Sequence, residues 1–339
     1  MSDDVNRQVL LAERPKGKLE EAHFTRRDVP IPEPGDGEAL TRTLYISLDA
    51  ANRAWMSPVA TYTNPVEIGG VMDGFTLAEV VRSNDSSLAP GDIVESMNGW
   101  QDYGVAPARH LHKVAPIEPL SHLLSGVGVT GKTAYFGLLD VGQPKPGETV
   151  LVSAAAGAVG SFVGQIAKLK GCRAVGIAGT DEKCRWLTEE LGFDAAINYK
   201  TEDMNPALRA ACPDGIDVYF DNVGGPILEA ALFQTNQNGR VVCCGSVSQY
   251  DTATPDPGPR GVPGLLVVKR IRMQGFIVMD FYDRRQQAEA ELAAWIGDGR
   301  IKVREDIIDG LENAPAALVG LLAGENTGKR MVRVAPEPS

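Results

Sequence analysis

The chain is 339 residues long and 43 % hydrophobic, enough to build two domains that each bury a core. Its formal net charge of −11, with no basic block to offset it, argues against nonspecific nucleic-acid binding. No apolar run reaches the ~20 residues of a membrane span, and the opening MSDDVNRQVLLAERPKGK is polar, so a cytoplasmic setting without a membrane partner is expected.

The texture up to about residue 120 is rich in Pro, Gly and short β-like runs such as EALTRTLYISLD, FTLAEVVRS and DIVESMN. PGD at 90–92 and PGE at 146–148 each precede an apolar strand, as a turn should. From about residue 124 strands and helices alternate: strand 149–153, helix 158–170, strand 173–178, helix 181–192 and strand 195–197. Strand 217–220, helix 226–236, strand 240–244 and strand 272–278 follow. That alternation predicts a parallel sheet with crossover helices, an α/β domain. After residue 299 come IKVREDI, a helical ENAPAALVGLLAGE and a last strand KRMVRV that can rejoin the first domain. The expected division is 1–123, an inserted 124–299, and a return over 300–339.

Within the inserted part, TVLVSAAAGAVGSFVGQ runs from a buried strand into a helix through small residues. Ala155, Gly157 and Gly160 give the spacing A-x-G-x-x-G, in which first-turn N–H groups stay free and small side chains let a pyrophosphate approach. Taken alone such a triplet also describes a plain tight turn; the strand before it and the helix after it point to a dinucleotide. Roughly 20 residues on, where NAD-binding chains place an acid on the ribose hydroxyls, stands Gly179. Thr180 and Lys183 follow, a hydroxyl and a cation suited to a 2′-phosphate, so NADP(H) is the expected cofactor. Asp181 falls in the first turn of the next helix, where an acid suits the dipole.

Metal and side-chain nucleophiles find little support. Zinc needs three protein ligands or clustered cysteines. Cys172, Cys184, Cys212, Cys243 and Cys244 all lie in the second half without paired spacing, which fits reduced thiols. His110 and His112 in ARHLHKVAP would share one strand face as a surface pair, and no metal is expected. Ser125 and Ser153 lack a G-x-S-x-G elbow, so the chemistry belongs to a bound cofactor.

The blocks AAAGAVGS, GTDEKC, INYK, DNVGG, GRVVCCGSVSQY, QGFIV and GENTGKRMVRV occur in this order. With LYISLD, GGVMDGF, PGDIVESMNGWQDY and VTGKTAYFGLLDVGQPKPGE they resemble the medium-chain dehydrogenase/reductase superfamily over nearly the whole chain. Within it the resemblance is to the zinc-independent branch of prostaglandin, 2-alkenal (double-bond) and curcumin reductases. It implies a Rossmann domain inserted in a GroES-like, mainly β domain, commonly as a homodimer. The implied activity is NADPH-dependent reduction of the C=C bond of α,β-unsaturated ketones and aldehydes.

The resemblance also implies site residues. Thr130 would lie at the nicotinamide end, Ala156 and Gly157 under the pyrophosphate with Val159 and Gly160 beside them, and Lys183 and Tyr199 on the 2′-phosphate and adenosine side with Gly179 and Thr180. Asn222 would approach the ribose-phosphate, Cys244, Gly245 and Ser248 would border the cofactor, and Phe276, Ile277, Val278 and Asn326 would touch it. Where relatives carry D-P-Y-M-R this chain has LDAANRAW, and Ala51 replaces their pocket tyrosine. The pocket is therefore rebuilt, and its candidate wall is Tyr45, Asn52, Trp55 and Tyr62, with Met72, Trp100 and Tyr250. Hydride reaching the β-carbon of an apolar enone leaves charge on the carbonyl oxygen, which aimed donors stabilise, with a tyrosine O–H or water as proton source. A zinc-independent carbonyl or alcohol oxidoreductase, a quinone reductase and a non-enzymatic NADPH sensor remain open alternatives.

Overall fold

The computed structural model describes residues 5–59, 63–254 and 257–338. The chain divides into two compact units, one of residues 1–124, 305–326 and 330–339 and the other of residues 125–304 and 327–329.

The first unit is mainly β. Val5–Leu11 (β1) pairs antiparallel with Phe24–Pro30 (β2). Glu38–Ser47 (β3) is the central strand of a larger sheet, buried along most of its length because partners lie on either side. Ala51–Trp55 (α1) follows, and then Thr76–Ser83 (β4), Ile93–Ser96 (β5), Tyr103–Pro107 (β6) and His112–Lys113 (β7). The sheet runs β14-β15-β3-β4-β5-β7 with β6 also on β3, where Glu305–Asp309 (β14) and Lys329–Arg333 (β15) come from the far end of the chain. Met331 stands opposite Ser47 and Val332 opposite Ile46, so KRMVRV adds a strand beside β3. Leu11, Met72, Trp100 and Val332 share one apolar core with Leu318 of Ala314–Leu322 (α9), a buried set of the kind that drives such a sheet to fold. His110 ends a short 3₁₀ turn at Ala108–His110 and His112 opens β7, so the two do not share a strand.

The second unit begins with Val129–Phe136 (α2) and then alternates: Thr149–Val152 (β8), Ala158–Leu169 (α3), Arg173–Ala178 (β9), Asp181–Arg185 (α4) and Ala195–Asn198 (β10). Met204–Ala211 (α5), Ile216–Asp221 (β11), Gly225–Gln234 (α6), Thr235–Cys243 (β12), Val262–Lys269 (α7), Arg272–Gly275 (β13) and Arg285–Gly297 (α8) complete it. The six strands are parallel in the order β10-β9-β8-β11-β12-β13. Counting from β8, that order is 3-2-1-4-5-6, the Rossmann arrangement. The fold is α/β, a Rossmann sheet inserted in a GroES-like, mainly β domain.

Local departures have local causes. The expected helix 181–192 is a single α turn that widens into π geometry over Trp186–Glu190, burying Trp186 and Leu187. Strand β12 starts at Thr235 rather than 240, because Ile216 pairs with Thr235 and Val218 with Arg240, so the polar residues between bulge out at Asn238 (φ 64°). The expected strand 272–278 stops at Gly275, and Val278 already belongs to a 3₁₀ turn. Helices α2, α5, α7 and α8 were not anticipated by the strand and turn signals.

Candidate nucleotide and substrate site

In an open α/β sheet, ligands bind beyond the carboxyl ends of the strands where the order reverses. Here that place lies between β8 and β11, whose ends are pinned together. Asn222 Nδ2 donates to Ser153 O at 2.7 Å, and the Asn222 N–H donates to Ser153 Oγ at 2.9 Å. Beneath them the buried Asp221 places one oxygen, Oδ1, against the Tyr219 hydroxyl (2.7 Å), Ser153 Oγ (3.2 Å) and the N–H groups of Val223 and Gly224 (3.0 and 2.9 Å). This is how a buried carboxylate is tolerated. It also drives the Tyr219 phenol well above its ordinary range, after burial itself.

The loop leaving β8 is shaped by backbone. Ala154 takes a left-handed conformation (φ 48°) that non-glycine residues rarely hold. The Ala155 N–H donates to Ile177 O, and the Gly157 N–H to Ala154 O, both at 2.9 Å. Gly157 is the N-cap of α3 and offers no capping side chain. The N–H groups of Ala158, Val159 and Gly160 therefore head a twelve-residue helix with no intrahelical acceptor. Any Cβ at Gly160 would lie 2.4 Å from Ala154 O, so only glycine lets the helix start this close to the loop. The return segment braces it, with the Gly328 N–H donating to Ala156 O at 2.9 Å. Ala156, Gly157, Val159 and Gly160 thus stand together, while Asn326 lies in the first unit just ahead of that segment.

At the end of β9, a Cβ on Gly179 would lie 3.1 Å from Tyr199 Cε1 and 3.3 Å from Lys200 Cε. The missing side chain brings β9 and the residues after β10 close. Thr180 Oγ1 accepts from the Lys183 N–H at 3.2 Å, which keeps its own hydrogen for donation. Gly179, Thr180, Lys183 and the 46 % exposed Tyr199 form one corner. Lys200, which the sequence reading passed over, joins them; the signal was the K of INYK.

The loop after β12 docks on the turn after β11. The N–H groups of Cys244 and Gly245 donate to Asp221 O at 2.9 and 3.1 Å, and Ser248 Oγ donates to Val223 O at 2.6 Å. The Cys244 thiol is pushed up to about 12, first by burial and then by Asp221, so it is no nucleophile. Phe276 packs edge-on to Phe220 at 6.3 Å and lies over Gly137, Ile277 is half-buried, and Val278 is buried. Thr130 is buried near the start of α2, which packs on α3. The Tyr250 hydroxyl accepts from the Ser246 N–H at 3.2 Å.

In the first unit the proposed wall residues are tied into their own fold. The Tyr45 hydroxyl donates to Glu337 Oε1 at 2.6 Å and is pushed up to about 12, chiefly by burial. Asn52 is fully buried: its Oδ1 accepts from the Asp49 N–H at 2.7 Å, and its Nδ2 donates to Asp73 O at 3.0 Å. Trp55 packs edge-on to Phe75 at 6.0 Å, and Trp100 stacks on Phe24 at 5.4 Å. Met72 is buried in the same core, and Tyr62 lies outside the described residues. Asp73, half-buried, has its carboxyl pushed up by desolvation.

Residues 7–114 match a family model described as the N-terminal domain of oxidoreductase, and residues 158–295 match one described as zinc-binding dehydrogenase. The chain is 47 % identical to the putative NADP-dependent oxidoreductase YfmJ of Bacillus subtilis, covering 98 % of both. It is 46 % identical to the NADPH-dependent curcumin reductase of Escherichia coli, covering 97 % of both. The crystal structure of CurA in complex with NADPH from Vibrio vulnificus superposes with a TM-score of 0.93 at 43 % identity, over 98 % of this chain and 100 % of that one. The chain belongs to the medium-chain dehydrogenase/reductase family. Its branch is that of the curcumin, prostaglandin and 2-alkenal reductases.

Zinc appears in the description of one family model. Among the described residues no group of three or more His, Cys, Asp or Glu side chains gathers to hold a metal, whereas zinc takes at least three protein ligands.

Proposed function

We propose that the chain is an NADPH-dependent reductase of the C=C bond of α,β-unsaturated ketones and aldehydes. The observation that carries the cofactor is the uncapped start of α3 at the sheet's switch point, with Gly160 closing against Ala154. Three N–H groups and the positive end of a helix there suit a pyrophosphate. The corner of Gly179, Thr180, Lys183 and Tyr199 suits a 2′-phosphate: it offers a hydroxyl, a cation and a phenol, and position 179 has no side chain to carry an acid. Asn222, Cys244, Gly245 and Ser248 border the ribose and nicotinamide on this reading, with Thr130, Phe276, Ile277, Val278 and Asn326 around the ring.

NADPH, when bound, supplies the hydride that the β-carbon of the enone accepts. What remains for the protein is to hold the two reactants together, exclude water and meet the charge that develops on the carbonyl oxygen. In the first unit, Asn52 holds the backbone at Asp49 and Asp73 rather than offering its amide, and Tyr45 holds Glu337. Their role is to make the wall rigid, while Trp55 against Phe75 gives it an apolar surface. The Tyr250 oxygen accepts from the Ser246 N–H, and among the described residues its O–H is left to donate.

The substrate is a small apolar enone, and the protein works in the cytoplasm as a homodimer. The second unit supports that assembly: β13 is an edge strand, and α7 beside it buries no residue while exposing Val267 and Val268. Among the described residues no helix is long and apolar enough to cross a membrane.

The test is NADPH consumption with an enone and with its saturated ketone, NADH being run in parallel. Turnover of the enone alone, faster with NADPH, is expected. Turnover of the saturated ketone would make the protein a carbonyl reductase. Silence with enones but activity on quinones, or NADPH binding without turnover, would favour the quinone-reductase or sensor alternatives.

A further inference from the structure

The corner assigned to the 2′-phosphate has two acids beside it, and one buried residue holds both, Asp181 by its side chain and Glu202 by its backbone. Asn198 closes β10 and is 5 % exposed. Its Nδ2 donates to Asp181 Oδ1 at 2.6 Å, and its backbone N–H donates to Glu202 Oε1 at 2.7 Å. Burial, Glu202 and Asp181, in that order, push the Cys184 thiol up. The same Asn198 uses its Oδ1 to accept from the Lys200 N–H at 3.1 Å, which fixes where the next cation begins. The Lys200 ammonium then stands 6.0 Å from the centre of the Tyr199 ring, and its stem lies over Gly179.

We propose that Asn198 and Lys200 set this chain's preference for a 2′-phosphorylated nucleotide. Asn198 is a positioning residue: its side chain holds Asp181, and its backbone N–H holds Glu202, away from the phosphate. Lys200 is a second cation beside Lys183. The proposal rests on the NADPH reading above and adds to it the reason an acid two residues after Gly179 does not spoil the site. A carboxylate released toward a phosphate repels it, and selectivity is the difference between that repulsion and the attraction of the lysines.

The test uses two nucleotides that differ only in the 2′-phosphate, adenosine 2′,5′-bisphosphate and AMP, titrated calorimetrically into the full-length chain. The wild type should bind the bisphosphate more tightly. In Asn198→Ala the bisphosphate should weaken about tenfold with AMP unchanged, and adding Asp181→Ala should restore most of the loss, the size expected for one nearby charge in a partly exposed site. A fold defect would weaken both nucleotides and would not be rescued by Asp181→Ala. In Lys200→Gln, a surface change that leaves the fold intact, the bisphosphate should weaken several-fold and lose part of its salt dependence. Equal weakening of both nucleotides in Asn198→Ala, no rescue, or an unchanged bisphosphate affinity in Lys200→Gln would each overturn the proposal. A wild type that does not distinguish the two nucleotides would instead overturn the NADPH reading, and the proposal with it.

Discussion

Two regions of the molecule, one in each unit, are built from different materials. The loop from β8 into α3, proposed for the pyrophosphate, is backbone: the left-handed Ala154, the uncapped start of α3, and a glycine that a single methyl group would disrupt. The first unit's proposed wall is made of side chains: Asn52 is spent on Asp49 and Asp73 and Tyr45 on Glu337, while the buried Trp100 Nε1 has no hydrogen-bond partner among the described residues. The contrast teaches where changes are tolerated. A backbone cradle binds what every dinucleotide shares and leaves little room to vary, whereas a wall whose polar groups serve its own fold can be re-lined to suit a new substrate.

The sharpest way to break that contrast is at Gly160. Its Cβ would lie 2.4 Å from Ala154 O and 2.8 Å from Ala155 Cα, both backbone. Gly160→Ala should cost about 2 kcal/mol or more of stability through overpacking and abolish measurable NADPH binding, read by urea denaturation and by quenching of protein fluorescence. Next comes Asp221, whose one oxygen serves Tyr219, Ser153, Val223 and Gly224. Asp221→Ala strands those donors and should lower the unfolding free energy by about 3 kcal/mol, since breaking a buried polar network leaves its partners unpaired.

On the wall the effects should be smaller and of another kind. Asn52→Ala should cost about 1–2 kcal/mol for its two lost hydrogen bonds and raise KM for the enone, with NADPH affinity unchanged. If NADPH affinity falls as well, the division of labour is wrong. Tyr45→Phe is the mildest. The phenol sits above its ordinary value of 10.0, at about 12, so it adds stability that is fully present below pH 10 and lost as pH rises through 12. The variant should lose under about 1 kcal/mol at neutral pH, keep its turnover, and show a flatter stability profile between those two pH values.

How much of this could be read in the sequence follows from the same contrast. AAAGAVG was legible because a glycine's spacing reports a backbone demand directly, and that demand appears at Gly160; GIAGT was read for the absent acid at Gly179, and DNVGG only through the family resemblance. Strands β8 and β9 were legible because parallel strands buried on both faces are continuous apolar runs. Helix α8 was missed although Ala288, Leu292 and Trp295 repeat at helical spacing, because its polar face is rich in Gln and Glu and hides a narrow apolar stripe. The partners of Tyr45 and Asn52 were invisible for a different reason. Glu337 is 292 residues from Tyr45 in the chain, and no local pattern reports which distant group a hydroxyl will find. Asn198 was hidden likewise, since its role lies in what it holds rather than in what it is.

An enone reductase directs hydride to the β-carbon of the C=C bond rather than to the carbonyl carbon. The most direct measurement is a reaction with NADPH deuterated at the transferring C4 position and a simple enone, with the product examined by NMR. Deuterium on the β-carbon of an otherwise intact ketone is the predicted result. Deuterium on a carbinol carbon, with the double bond retained, would contradict it.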